Sequence, residues 1–194
     1  MRRLAWLVAA ALLILSTTVS AQSHWSAEGA GMSVWVGAEI STFNPDYGCK
    51  NDSPFTCGSH QLLGVSPFVD ANHVLFRRLG FEGQARILPW RGPGDGLSES
   101  SYMAGPKVSI ARFRSVGFSG KFLAGGAHIT LPGHAPGSGQ YFAMAPGFIA
   151  NMRVSRRVFA RAEYEYQLWP NFLGGGGLTP NGFSFGFEYA LKRY

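Results

Sequence analysis

The chain has 194 residues, a formal net charge of +6 and only 14% charged residues, against about 25% in typical soluble domains. With 26 glycines and 14% aromatics, the surface of an ordinary water-soluble domain is in short supply. No apolar run approaches the roughly 20 residues of a spanning helix, which excludes an ordinary helical membrane protein.

In chain order, Arg2 and Arg3 precede an apolar run over residues 4–15, then polar residues 16–18 and the small-x-small triplet Val19-Ser20-Ala21. That is the layout of a secretory signal peptide with cleavage after Ala21. Residues 22–194 then form one domain. Cys49 and Cys57 are the chain's two cysteines, and in an exported protein they are expected to form a disulfide that staples a small loop. They lack the spacing of a redox or metal pair, and no other metal-ligand spacing occurs, so neither a cofactor nor a metal is expected.

Beyond the leader, apolar residues recur every second position, the period of a strand. Eight candidate strands follow, at about 32–43, 62–71, 74–90, 102–111, 117–128, 140–152, 158–169 and 183–194. In the first, Val34, Val36, Ala38 and Ile40 oppose Trp35, Gly37, Glu39 and Ser41. In the third, Leu79, Phe81, Ala85 and Ile87 oppose Arg78, Glu82, Gln84 and Arg86. The seventh sets Ala160, Ala162, Tyr164, Tyr166 and Leu168 against Arg161, Glu163, Glu165 and Gln167. The last sets Phe183, Phe185, Phe187, Tyr189 and Leu191 against Ser184, Gly186, Glu188 and Ala190.

Connections alternate in length. Short turns are expected near Asn72, Arg114 and Ser155, and longer stretches rich in Gly, Pro, Ser and Asp elsewhere, including LPGHAPGSGQ and LGGGGLTPNG. An up-and-down meander with tight turns at one end and loops at the other is the pattern of an all-β, eight-stranded antiparallel transmembrane β-barrel. The charge-bearing faces hold Glu39, Asp70, Arg78, Glu82, Arg86, Lys107, Lys121, Arg161, Glu163, Glu165 and Glu188. Charges are intolerable facing lipid, so these residues are assigned to the lumen as an ion-pair network. Eight strands leave an interior only wide enough for side chains, which predicts a plugged barrel. Tyr189, Trp169, Trp90 and Tyr102 are expected as interfacial girdle residues.

In strand number, length and aromatic last strand, the chain resembles the small eight-stranded outer-membrane barrels of OmpA and OmpX type. GVSPFVDAN, YMAGPKVSI and KFLAGGAHI are similar to stretches common in such domains. The resemblance implies residence in the bacterial outer membrane. It also implies that the last strand, Phe183 to Leu191, is read by the barrel-assembly machinery after periplasmic chaperones deliver the chain. Tyr194 is out of phase with that strand, because Lys192 and Arg193 intervene, so either a bulge occurs or the signal ends at Leu191.

Arg77, Arg112, Arg114, Arg153, Arg156, Arg157, Lys192 and Arg193 fall near the tight turns with no acid among them, a ring suited to anionic lipid headgroups or to plain solubility. The long loops hold Asp46, Lys50, Asp52, Arg91, Asp95 and Glu99. The function expected is non-enzymatic, an envelope-structural or adhesion role for a monomer in contact with outer-membrane lipids, with any extracellular ligand bound at the loops. Alternatives are a narrow channel, a soluble lipocalin-like periplasmic barrel, or a lipid A-modifying enzyme. For the last, His128 and Thr130 are similar in spacing to the His-x-Ser of lipid A deacylases, although the surrounding residues differ. GGGG at 174–177 lacks the Lys-Ser/Thr of a phosphate loop. Nucleic acid is not an expected partner, because the aromatic and basic residues lie on different faces.

Overall fold

A computed structural model describes residues 33–46, 61–72, 74, 78–89, 97–131, 138–172 and 177–192. The expected signal peptide, Cys49 and Cys57 with their expected disulfide, Trp90, Tyr194 and most of the long loops lie outside the described residues. Eight strands close into one antiparallel barrel in sequence order. They are β1 (Ser33–Asn44), β2 (Leu62–Asn72), β3 (Leu79–Pro89), β4 (Ser98–Phe113), β5 (Val116–Thr130), β6 (Gly139–Arg153), β7 (Val158–Tyr166) and β8 (Asn181–Lys192). Closure comes from β1 pairing with β8, with Ile40 opposite Phe185 and Ala38 opposite Phe187. A closed barrel satisfies every backbone donor and acceptor between strands and leaves no open edge.

Alternation decides which side chains go where. Ile40, Val65, Phe81, Ile87, Phe122, Phe142, Phe148, Phe183, Phe185 and Phe187 are all exposed, between 45% and 64%. Their neighbours of opposite parity, Glu39, Ser66, Glu82, Arg86, Lys121 and Ser184, are 5% exposed or less. An apolar exterior around a polar interior is the inverse of a soluble barrel.

The short turns lie where the sequence places them, but two strand ends move. β3 begins at Leu79, five residues later than expected, and the Val74 amide donates to the Leu79 carbonyl at 3.0 Å across the turn. β4 reaches back to Ser98 and so draws in residues read as loop. The β4–β5 turn is the tightest, with Phe113 opposite Val116 and Arg114 in the left-handed region at φ 54°, as two-residue hairpins demand. At the closing seam, Val34 pairs with Lys192 but Trp35 with Ala190, so Leu191 is the extra residue of a bulge. The bulge resolves the phase problem at the end of the last strand: it places Lys192 opposite outward-facing Val34.

Candidate functional site

The lumen divides along the barrel axis into an ionic middle and an apolar loop-side end. The ionic part centres on Arg161 of β7. Its Nη2 donates to Glu82 Oε1 at 2.8 Å and to Glu163 Oε2 at 2.5 Å, and its Nε to Glu39 Oε1 at 3.1 Å. Lys121 of β5 lies 2.9 Å from Glu82, 2.8 Å from Glu163 and 3.0 Å from Glu165. Arg86 of β3 pairs with Glu165, reaches Glu163 Oε1 at 3.1 Å and donates from Nε to Ser66 Oγ at 3.1 Å. The charged residues of this network come from β1, β3, β5 and β7, which face one another only once the barrel has closed. Nearer the turns, Lys107 pairs with Asp70, and Asn151 donates to Glu188 Oε1 at 3.0 Å.

Two rings and two glycines complete this layer. The Arg161 guanidinium lies 4.0 Å from the Phe68 centroid and that of Arg86 lies 4.1 Å from Phe43, so each cation has a π face where carboxylates do not reach. A Cβ on Gly37 would fall 2.3 Å from the Phe68 ring, and one on Gly147 would fall 2.9 Å from Lys121 Cε. Glycine at these inward positions is therefore what gives the ring and the lysine stem their room.

Toward the loops the chemistry changes. Phe43, Leu62, Leu88, Leu97, Met103, Leu123, Ile129, Leu131, Trp169, Phe172 and Leu178 pack into one buried cluster. Trp169 is its largest member, and its Nε1 donates to Gln167 Oε1 at 2.8 Å, while Gln167 donates to Glu165 Oε1 at 3.0 Å. The apolar end and the ionic middle are thus joined through Gln167. Tyr141 lies against Trp169 and Phe172 with centroids 6.0 and 5.0 Å away. Above the cluster, Asp46 Oδ2 accepts from the Thr179 amide at 3.1 Å and ties the end of β1 to the approach of β8.

Of the eleven residues assigned to the lumen, the structure brings ten inside, all buried. Arg78 is the correction: it lies in the β2–β3 turn, exposed, because β3 starts only at Leu79, the residue after it. Trp169 is a second correction, buried at 0% and no part of an interfacial girdle. It shares the parity of Arg161, Glu163 and Glu165, and that signal points inward. Tyr102 and Tyr189 are exposed on the outer face, at 62% and 40%.

Glu99 is the third correction. Read as a loop acid, it stands in β4 with the inward parity of Ser101, Met103 and Lys107, 2% exposed. Neither carboxyl oxygen has a hydrogen-bond partner, and nor does the Ser101 hydroxyl. The described lumen therefore holds seven carboxyl groups against four cations, where the sequence suggested near balance. The phase of β4 was enough to find Glu99; the phase of β2, which sets Phe68 with Ser66 and Asp70, was enough to find Phe68.

His128 stands exposed in β5 with Nε2 3.3 Å from Thr130 Oγ1. Among the described residues it makes no ion pair with a carboxylate, and a hydrolytic triad needs that third group to orient the imidazole.

No protein-family model and no curated protein matches the chain. Solved structures do. The Neisserial surface protein A aligns with a TM-score of 0.52 and 15% identity over 81% of this chain and 96% of its own. The outer membrane protein OprG of Pseudomonas aeruginosa aligns at 0.53 and 11% identity over 82% and 95%. Ail, the attachment invasion locus protein of Yersinia pestis solved with the heparin analogue sucrose octasulfate, aligns at 0.50 and 18% identity over 82% and 97%. At such identities the likeness concerns architecture, and nearly the whole of each neighbour is matched. The closed eight-strand meander, its apolar exterior and these neighbours identify the fold as that of the small outer-membrane β-barrels.

Proposed function

We propose that the protein is a non-enzymatic integral barrel of the bacterial outer membrane, closed to solutes, whose work is done at its membrane surface and its loop end. The observation that carries this reading is the filled lumen: an ion-pair network buried to 5% exposure or less, capped by an apolar cluster around Trp169. A wet channel keeps its charges solvated, whereas these are desolvated and engaged with one another. Outer-membrane lipids are the immediate partners of the exterior, and the chaperones and assembly machinery of the periplasm deliver the chain.

Adhesion through the loops is the favoured surface role. Their charge set, Asp46, Lys50, Asp52, Arg91 and Asp95, is slightly acidic and does not suit a sulfated polyanion, the ligand class in the Ail structure. A neutral or cationic surface group fits better.

Planar-bilayer recording of the purified, heat-modifiable protein tests closure. No unitary conductance is expected at moderate voltage; reproducible steps that vanish on boiling would reverse the reading in favour of a narrow channel.

A further inference from the structure

On the outer face near the tight turns, the aromatic wall is interrupted. Ala150 of β6 stands in register with Ala162 of β7, which faces Phe185 of β8; one row nearer the turns, Met152 faces Ala160, which faces Phe187. Three alanines side by side between Met152, Phe185 and Phe187 leave an open groove of about 410 Å³. Much of the rest of the belt carries Phe, Tyr, Val and Ile at outward positions.

The groove points at a cluster of cations. The end of β6 and the β6–β7 turn directly below it carry Arg153, Arg156 and Arg157, all exposed, and the adjoining β4–β5 turn carries Arg114, also exposed. The two turns meet where the Arg153 amide donates to the Ser115 carbonyl at 3.4 Å. Arg157 Nη1 donates to Tyr189 Oη at 3.2 Å, which holds its guanidinium beside the strand that forms the far wall. No described acid shares this end of the outer surface: every described carboxylate is buried in the lumen except Asp46 at the opposite end.

We propose that this groove is a site for one anionic glycerophospholipid, an acyl chain lying on Ala150, Ala160 and Ala162 and the phosphate meeting the arginines of the β6–β7 turn. The proposal rests on the outer-membrane reading. Charge chooses the ligand: short turns face the periplasm in barrels of this architecture, so the arginines lie at the phospholipid leaflet, where each basic side chain favours an anionic headgroup. Shape and charge together choose the place: Gly83, Ala104 and Ala124 form another row of small outward residues, but the row of Ala150, Ala160 and Ala162 is the one beside the arginines of the β6–β7 turn.

The test is native mass spectrometry of the detergent-purified full barrel after exposure to equal amounts of phosphatidylglycerol and phosphatidylcholine with matched acyl chains. One phosphatidylglycerol should be retained at least tenfold in preference to phosphatidylcholine. The R153Q/R156Q/R157Q variant should lose that preference, and the groove-filling A162F or A150F should lose retention of both lipids. Equal retention of the two lipids by the unaltered protein, or undiminished retention by a folded A162F and A150F, overturns the site. Folding is followed throughout by the gel shift between unboiled and boiled samples. A normal shift with no retained lipid removes the site alone, whereas no shift and no vesicle insertion by the unaltered protein removes the outer-membrane reading.

Discussion

The two halves of the lumen are closed by opposite chemistries on the same strands. In the middle, Arg161, Lys121 and Arg86 hold Glu39, Glu82, Glu163 and Glu165 in a shared network. Toward the loops, Trp169, Phe43, Leu88, Ile129 and their neighbours hold one another. An apolar seal works by excluding water and tolerates imperfect geometry. A buried ionic seal works only while every charge keeps its partners, since the desolvation cost of each ion is large. The ionic half should therefore be the more brittle, and the apolar half the part that keeps water away from it.

The largest expected effect is Arg161→Met. It strips Glu39, Glu82 and Glu163 of a common cation, and the cost should be about 3–5 kcal/mol, read as a lower urea midpoint for the heat-modifiable band. A midpoint within error of the unaltered protein would show that the network contributes no stability. Trp169→Ala follows at about 3 kcal/mol, since it opens a cavity in the cap and strands Gln167. Its informative feature is a side effect, new conductance in planar bilayers; a destabilised but still silent barrel would mean that the ionic half seals unaided.

Exterior and lumen can be compared by moving a charge across the wall. Ile40→Arg turns the residue beside Glu39 outward into the apolar belt and should cost roughly 2–4 kcal/mol if it lies near the bilayer midplane. The penalty should appear in vesicles and shrink in detergent, and an equal penalty in both would mean that lipid is not what that face meets. The smallest expected effect has the opposite sign. Glu99 is buried with neither oxygen hydrogen-bonded, so Glu99→Gln should be neutral or stabilising by up to about 1 kcal/mol. A loss of stability instead would show that the Glu99 carboxyl makes a favourable electrostatic contact in the lumen despite lacking a hydrogen bond.

Particular residues show how much of this was legible beforehand. Period two alone sorted Phe185 from Ser184 and Ile40 from Glu39, because adjacent side chains in a strand must part to opposite faces. The same rule points to Trp169, Phe68 and Glu99: chemical habit gives the tryptophan to an interface and the acid to a loop, and passes over Phe68, although the parity of all three is inward. Arg78 failed for another reason. Its parity is inward, but a strand's phase means nothing before the strand's first residue, and that start is at Leu79, where the Val74 amide meets the Leu79 carbonyl.

By itself the sequence determined the strand count, the meander, the placing of charges inside and aromatics outside, and the tight-turn end, since all of these are local and repeat every two residues. Only the closed barrel decided which charges meet. Arg161 and Glu39 stand 122 positions apart in the chain, and their pairing depends on strand register, on the room left by Gly37 and Gly147, and on the β1–β8 seam with its bulge at Leu191. The division of the lumen into ionic and apolar halves has the same origin: it is a property of layers stacked across eight strands, and no single strand contains it.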